Sequence, residues 1–252
     1  MVQRDDEGRV LRKIVPLEGP RKYVTDQMKT SIQEFPQGTA IVQLDATKIL
    51  QFRKELMEKK GVKVSIGDIF VKAAACGLEK VPEFNGARMG DEIRYYRSCN
   101  IGMSASINGV LVMPVVADAQ AKTVEEISAE LKKDYEYLRK GKFARVQNWG
   151  ATFSISNLGM YPVDGFTPLL NPPEGGMLGL GRIRKLPRFD ENMNVIPVDE
   201  MTVSITDDHG LIDGVAVIQF LAAIDEVMQD PWTWLYHTTD VEAEAEKDGE
   251  AE

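Results

Sequence analysis

The stretch MTVSITDDHGLIDGVAVIQFLAAIDEVM at residues 201–228 carries the clearest structural signal in the chain. Residues 201–206 alternate apolar and polar side chains, which is the pattern of a half-buried strand. Residues 214–228 carry apolar side chains at helical spacing, and Pro231 follows them. The stretch therefore predicts a strand and a helix joined by a polar turn, and His209 lies on that turn.

His209 is a candidate catalytic residue because of its position and its neighbours. A turn at a strand end can hold a side chain rigidly and leave it open to a ligand. Imidazole titrates near neutrality and can take a proton from a thiol or hydroxyl. Asp207 and Asp208 precede His209, and Asp213 lies four residues beyond it. The residues alone leave two interpretations open: a general base, or a turn histidine held by carboxylates. The second histidine, His237, is predicted to be an exposed residue without a role.

Ser156 is the second candidate, within FSISNLG at residues 153–159. It ends a predicted strand, and its hydroxyl can donate to an oxyanion or simply complete a turn. No G-x-S-x-G elbow surrounds it, so it is not predicted to be a nucleophile.

The rest of the chain mixes strands and helices without a strict strand–helix–strand rhythm, which predicts an α/β fold, a two-layer sandwich of mixed sheet and helices. Val24, Met28 and Ile32 lie four apart on one face of a first helix. Further helices are predicted at residues 47–60, from a cap at residues 65–68, and from a capping box at residues 123–126. The predicted strands are residues 39–45, 92–97, 100–107, 110–116, 151–156 and 176–182, with a hairpin turn at residues 107–110.

Composition is that of an ordinary globular protein, with 43% hydrophobic and 27% charged residues. No apolar run approaches the roughly 20 residues of a membrane span, and the charged start resembles no signal peptide, so a cytoplasmic location is expected. No basic stripe suggests nucleic acid. Cys76 and Cys99 are too few and too isolated for a disulfide framework or a zinc site, so no metal is expected.

Three segments are predicted: an N-terminal arm at residues 1–15, one catalytic domain at 16–236, and an acidic disordered tail at 237–252. Residues 240–252 hold seven acids and one lysine, a net charge of −6. The body is therefore only mildly acidic.

Several blocks in order together resemble the catalytic domain of the dihydrolipoamide acyltransferases, the acyltransferase components of 2-oxo acid dehydrogenase complexes. The similarity runs over residues 16–235. Its blocks are PLEGPRK (16–22), SIGD (65–68), VPEFN (81–85), NIG (100–102), LVMPV (111–115), SNLG (156–159), NPPEGG (171–176) and H-x-x-x-D-G (209–214).

The resemblance implies a chloramphenicol-acetyltransferase-like fold and homotrimers with active sites between subunits. It implies that His209 deprotonates the attacking thiol and that Ser156, from the neighbouring subunit, donates to the tetrahedral oxyanion. Asp213 would orient the loop and form an ion pair with Arg21. Coenzyme A would be a substrate, and one thiol would attack the other's thioester directly, without a covalent acyl-enzyme.

Three departures from the family pattern stand out. The family usually has arginine directly after the histidine, where this chain has Gly210, and a histidine often found near the first strand is Gln37 here. No Asp-Lys-Ala tripeptide of a lipoyl domain is present, so the chain is expected to be an excised core or to use a lipoyl group on a separate carrier.

In cage-forming relatives an apolar C-terminal anchor joins the trimers. Trp232, Trp234, Leu235 and Tyr236 are candidates for it, but the acidic tail predicts a trimer.

Two alternatives to a lipoyl-dependent acyltransferase remain open. One is a stand-alone acyl-CoA-dependent acyltransferase acting on a small hydroxyl or thiol compound, which the missing lipoyl domain favours. The other is a non-catalytic scaffold subunit, which Gly210 favours and the intact His209, Asp213 and Ser156 oppose.

Overall fold

The computed structural model describes residues 3–107 and 110–240. These residues form nine strands and six α-helices. In chain order they are α1 (Gly19–Glu34), β1 (Gln37–Asp45), α2 (Thr47–Lys60), α3 (Ile66–Lys80), β2 (Gly86–Met89), β3 (Glu92–Tyr95), β4 (Ile101–Ile107), β5 (Val110–Val112), β6 (Val115–Val116), α4 (Val124–Arg139), β7 (Phe153–Asn157), β8 (Gly176–Phe189), β9 (Val195–Asp208), α5 (Gly214–Gln229) and α6 (Pro231–Trp234).

Seven of the strands make one mixed sheet in the order β1-β9-β8-β7-β4-β5, with β6 also paired to β4. β7 runs parallel to both of its neighbours, β4 and β8, whereas the other pairs are antiparallel. β2 and β3 form a separate hairpin. The predicted α/β class with a mixed sheet is confirmed.

An aromatic cluster joins the helices to the sheet. Phe220 of α5 stacks on Phe84 at a ring-centre distance of 4.6 Å and meets Phe153 of β7 at 5.3 Å. Gly77 lets α3 approach α5 closely, because a β-carbon there would stand 2.8 Å from the ring of Phe220. All three rings are fully buried, so this cluster holds α5 over the sheet that carries His209.

The predicted helix ends agree with the structure where local caps define them. Ser65 Oγ accepts from Asp68 N at 3.0 Å, and Asp68 Oδ2 accepts from Ser65 N at 2.7 Å. Thr123 and Glu126 form the same reciprocal cap on α4. Gly61 ends α2 in a left-handed conformation with φ of 68°.

β8 and β9 are each 14 residues long, much longer than the predicted strands at 176–182 and 201–206. Their outer halves form a projecting hairpin in which Pro187 is paired with Pro197. Proline cannot donate to a ladder and argues against a central strand, which is why the sequence pattern missed this extension. It lies on a two-stranded projection, where those missing donors cost little.

Three further expectations need correction or limits. The predicted strand 110–116 is split into β5 and β6 around Met113 and Pro114. The hairpin pairs Ile107 with Val110 as expected, but residues 108 and 109 lie outside the described residues. So do residues 241–252, most of the predicted acidic tail.

The candidate C-terminal anchor residues pack partly on their own domain in the single chain, and their role in joining trimers stays a prediction. Trp232 meets the ring of Phe52 edge-on at 4.5 Å. Leu235 is fully buried. Tyr236 bonds to Glu125 and accepts from Lys60 Nζ at 3.1 Å. Trp232 is nevertheless 40% exposed, so this packing leaves part of the segment accessible.

The apolar stripe of α1 behaves differently from the other helical faces. Val24 and Met28 are only half-buried, and Ile32 is 63% exposed. Its own domain does not cover this face. Across residues 3–107 and 110–240, no helix has the length and apolar content that crossing a membrane requires.

Candidate active site

Backbone hydrogen bonds hold the turn that carries His209 at the end of β9. His209 N donates to Pro36 O at 2.7 Å, which continues the pairing of β9 with β1 by one step. The amides of Leu211 and Ile212 both donate to Asp208 O at 2.9 Å. Main-chain hydrogen bonds therefore hold the turn and fix the backbone of His209.

The imidazole of His209 contacts the carboxylate of Asp207. Nδ1 lies 3.2 Å from Asp207 Oδ2. A carboxylate only accepts, so Nδ1 carries the hydrogen, and in neutral imidazole Nε2 is then left with its lone pair. The side chain of His209 is 58% exposed and that of Asp207 is 3% exposed. No group in the described part of the chain bonds to Nε2, so this nitrogen is open to a substrate.

Asp207 lies in a buried position shaped by a glycine on the next strand. Gly38 of β1 pairs with Asp207, and a β-carbon on Gly38 would stand 3.1 Å from Asp207 Oδ1. Burial raises the pKa of the Asp207 carboxyl, while the hydrogen bond from His209 opposes that rise. The charge state of Asp207 therefore depends on both its burial and its contact with His209.

Asp208, the neighbouring carboxylate, has different partners. Its Oδ2 accepts from Arg88 Nε at 3.0 Å, and its Oδ1 accepts from Gly210 N at 3.0 Å. Arg88 also donates from Nη2 to Glu34 O at 2.6 Å and lies over the ring of Phe35. The buried charge of Asp208 is compensated, and it does not compete with Asp207 for His209.

Asp213 caps α5. Its Oδ1 accepts from the amides of Val215 at 2.8 Å and Ala216 at 2.9 Å. Among the described residues of the single chain, Asp213 and Arg21 form no ion pair, and their pairing stays a prediction. The carboxylate accepts instead from the free amides at the helix N-terminus, which lie two and three residues away.

Ser156 lies on β7, where it pairs with Ser104 of β4 and Gly179 of β8. Asp207 pairs with Gly176 on β8. Three residues along β8 span about 10 Å, and two strand spacings add about 4.8 Å each, so Ser156 is roughly 14 Å from Asp207 in one chain. The single chain therefore does not bring Ser156 to His209.

Gln37, which replaces a family histidine, has a structural position. Its Nε2 donates to Ser31 O at 2.8 Å, and its Oε1 accepts from Leu170 N at 3.3 Å. Ser31 Oγ in turn donates to Leu170 O at 2.7 Å. Gln37 thus ties the end of α1 to the loop before β8.

Sequence reasoning did not assign Asp207 or Arg88 to the site. Asp207 had a readable signal, because residues two apart on a strand project to the same face. Arg88 had none, since it lies 120 positions from Asp208. Both join the site through contacts that only the folded chain makes.

Neither the cysteines nor the possible metal ligands of the described residues suggest thiolate or metal chemistry. Burial raises the pKa of Cys76 to about 11 and that of Cys99 to about 12, so neither is a ready thiolate. In the described ranges, no cluster of three or more His, Cys, Asp or Glu side chains is placed to hold a metal.

Comparison with known proteins gives a family and a fold. The family model described as 2-oxoacid dehydrogenases acyltransferase (catalytic domain) matches residues 11–236. The acetyltransferase component of the mitochondrial pyruvate dehydrogenase complex of Schizosaccharomyces pombe is 33% identical over 224 residues, which cover 86% of this chain and 46% of that protein. The chain spans about half the length of the curated relatives it matches.

Solved structures agree with these relatives. The dihydrolipoamide acetyltransferase of Azotobacter vinelandii, studied for the catalytic roles of a serine, a histidine and an asparagine, superposes with a TM-score of 0.83 at 26% identity. The match covers 93% of this chain and 99% of that one. Chloramphenicol acetyltransferase superposes with a TM-score of 0.53 at 14% identity, covering 86% of this chain and 100% of that one. The predicted chloramphenicol-acetyltransferase-like fold is confirmed.

Proposed function

Because the chain belongs to the family of 2-oxoacid dehydrogenase acyltransferase catalytic domains, we propose that it moves an acyl group between coenzyme A and a dihydrolipoyl thiol. The observation that carries this proposal is the state of His209. Its Nδ1 is tied to a buried carboxylate and its Nε2 is open, which is the arrangement that a general base for an incoming thiol requires.

The reaction needs one proton to move and one thioester to exchange. His209 Nε2 takes the proton of the attacking thiol, and the thiolate forms a bond to the carbonyl carbon of the acyl thioester. The tetrahedral oxyanion then collapses, the carbon–sulfur bond of the leaving thiol breaks, and that sulfur takes the proton back from Nε2. No bond to the protein forms, which suits a site whose cysteines are buried elsewhere.

Ser156 is proposed to stabilise the oxyanion from a neighbouring subunit. Its hydroxyl has no partner within the described residues, so it is free to donate. The separation of roughly 14 Å within one chain, estimated from strand spacings, rules out this role inside the monomer. That separation supports a catalytic site built by two chains.

A homotrimer is the proposed assembly. The apolar stripe of Val24, Met28 and Ile32 on α1 supports it, because its own domain covers this face only in part and a subunit contact would cover the rest. The acyl donor is proposed to be a lipoyl group on a separate carrier, with coenzyme A as the second substrate.

A thiol-release assay tests the function. The protein is incubated with acetyl-CoA or longer acyl-CoAs, with and without dihydrolipoamide, and free coenzyme A is followed. We expect release that depends on dihydrolipoamide. His209→Ala should lose transfer by several orders of magnitude, because a thiol of pKa near 8.5 is mostly protonated at neutral pH.

His237→Ala is the matched control, since it removes the only other histidine. Retention of more than about a tenth of the activity in His209→Ala would contradict the role of His209. Transfer to small hydroxyl or thiol compounds but not to dihydrolipoamide would identify a stand-alone acyltransferase. No transfer at all by the intact protein would favour the scaffold interpretation.

A further inference from the structure

The general-base mechanism uses Nε2 of His209 and leaves the buried carboxylate beside Nδ1 unassigned. We propose that Asp207 is a positioning residue that holds His209 in the Nδ1–H tautomer and keeps Nε2 directed at the substrate thiol. The proposal rests on the function proposed above for its catalytic consequence, but the contact itself can be measured independently of any reaction.

The strand geometry brings these two side chains together. Asp207 is the second-last residue of β9, and His209 follows the last one. Residues two apart project to the same face of an extended chain, so the carboxylate and the imidazole meet without any turn of the backbone. The hydrogen bond of His209 N to Pro36 O keeps the chain extended one residue beyond the strand.

The carboxylate has one orientation because the space around it is limited. Asp207 pairs across the sheet with Gly38 on one side and Gly176 on the other. A β-carbon on Gly38 would stand 3.1 Å from Oδ1 and 3.2 Å from Oδ2 of Asp207. A β-carbon at position 38 would therefore press on the carboxylate and require it to shift by a few tenths of an ångström.

The neighbouring charged groups bond to each other and not to Asp207, so the carboxylate of Asp207 bonds only to His209 among the described residues. Asp208, the nearest other acid, is already bonded to Arg88 and to the amide of Gly210. Asp207 has no such cation, and its hydrogen bond with His209 is the one that its carboxylate makes among the described residues. The carboxylate is buried, and its hydrogen bond in the described structure is directed to the exposed imidazole of His209.

This arrangement has a catalytic consequence. When Nε2 takes the thiol proton, the ring becomes a cation, and the charge of Asp207 stabilises that cation through the same Nδ1–H bond. The proton stays on Nδ1 throughout, and Asp207 itself does not take it. Without the carboxylate, neutral imidazole can carry its hydrogen on Nε2. That nitrogen then has no lone pair with which to accept the thiol proton.

Nitrogen NMR of histidine-labelled protein is the first test, and the chain is well suited to it. Only His209 and His237 give signals. We expect neutral His209 to be in the Nδ1–H form and the Asp207→Asn variant to shift it toward a tautomer mixture. His237, which contacts Trp234, should not change and serves as the internal control. An Nε2–H tautomer of His209 in the intact protein would overturn the proposal, whatever the activity.

Kinetics supply the second readout. Asp207→Asn should lower kcat by about 10- to 100-fold with little change in KM, because the carboxylate acts most on the charged transition state. Asp225→Asn on α5 is the matched control. Unchanged kcat in Asp207→Asn would overturn the positioning role.

If Asp207→Asn does not fold, Gly38→Ala should produce the same tautomer shift. If the intact protein shows no transfer, the proposed function fails, and the NMR result still decides the contact.

Discussion

Nε of Arg88 lies 3.4 Å from the point where a β-carbon would stand on Gly210. Relatives usually have arginine at position 210, directly after the histidine. In this chain Arg88 of β2 lies beside the turn, and it forms the ion pair with the buried Asp208. The positive charge beside the turn is therefore supplied by a different element.

The closeness of Arg88 to Gly210 predicts that substitutions at these two positions compensate for each other in part in their effect on stability. Arg88→Leu should lower the free energy of unfolding by about 2 kcal/mol, because it leaves the buried charge of Asp208 uncompensated. Gly210→Arg should also destabilise, since its β-carbon would stand 3.1 Å from Asp208 Oδ1 and add a second cation beside Arg88. The double variant should cost less than the sum by at least about 1 kcal/mol in denaturant unfolding. Arg94→Leu is the control, because the partner of Arg94 is exposed. Strictly additive effects of Arg88→Leu and Gly210→Arg would disprove the idea that one arginine replaces the other.

Ser156→Ala should lower kcat by about 100-fold and change KM for the acyl-CoA little. The hydrogen bond to an oxyanion strengthens as charge develops, so its loss is felt mainly in the transition state. Steady-state kinetics separate the two constants. Ser106→Ala on the exposed face of β4 is a suitable control. An effect on KM alone would make Ser156 an ordinary ground-state contact.

Asp213→Ala should destabilise the protein by about 1 kcal/mol because it removes the N-cap of α5, whereas Asp213→Asn should be nearly neutral. Its effect should be additive with that of Arg21→Met, since the two side chains do not meet in the single chain. Unfolding in denaturant measures all three. A coupling energy above about 0.5 kcal/mol would restore the ion pair that the sequence suggested.

Glu174 predicts a pH-dependent stability. It is buried, its Oε1 accepts from Asn171 Nδ2 at 2.6 Å, and its Oε2 lacks a partner in the described structure. Burial raises its pKa from 4.5 to about 7, so the folded chain binds this proton more tightly than the unfolded chain. The free energy of unfolding should therefore fall as pH rises from about 4.5 to about 7, by on the order of 2–3 kcal/mol, and then level off.

Glu174→Gln removes this titration. The variant should be more stable than the parent at pH 8 and should show a flatter stability profile between pH 5 and pH 8. Thermal or denaturant unfolding across that range measures it, and exposed Glu58→Gln is the control. An unchanged slope would show that another group causes the dependence.

Light scattering should give a mass of about three chains at moderate salt. Leu235 is buried and Tyr236 bonds to Lys60 and Glu125 of its own domain, which supports the trimer, whereas Trp232 is 40% exposed. The earlier expectation rested on repulsion between acidic tails, which salt would screen. A mass of 24 or more chains would contradict the trimer. A cage that forms only at high salt or after truncation at Tyr236 would identify the tail as the cause.

Several parts of the molecule could be derived from sequence because their partners are close along the chain. The caps at Ser65 and Thr123 bond three residues ahead, and Gly61 ends a helix through its own backbone freedom. The order of short motifs indicated the family, and with it the roles of His209 and Ser156 as hypotheses. The extended hairpin was missed because Pro187 and Pro197 argue against a central strand but are tolerated on a projecting pair.

Local hydrogen bonding and side-chain periodicity therefore determined, from sequence alone, the α/β class, most helix boundaries and the turn that presents His209. Only the tertiary structure decided that Gly38 confines Asp207 beside His209, that Arg88 meets Asp208 from 120 positions away, and that Ser156 lies too far from His209 to act within one chain. The physical reason is that strand order and register depend on pairing between distant segments. That pairing is settled by packing of the whole core and leaves no periodic signal in the residues themselves.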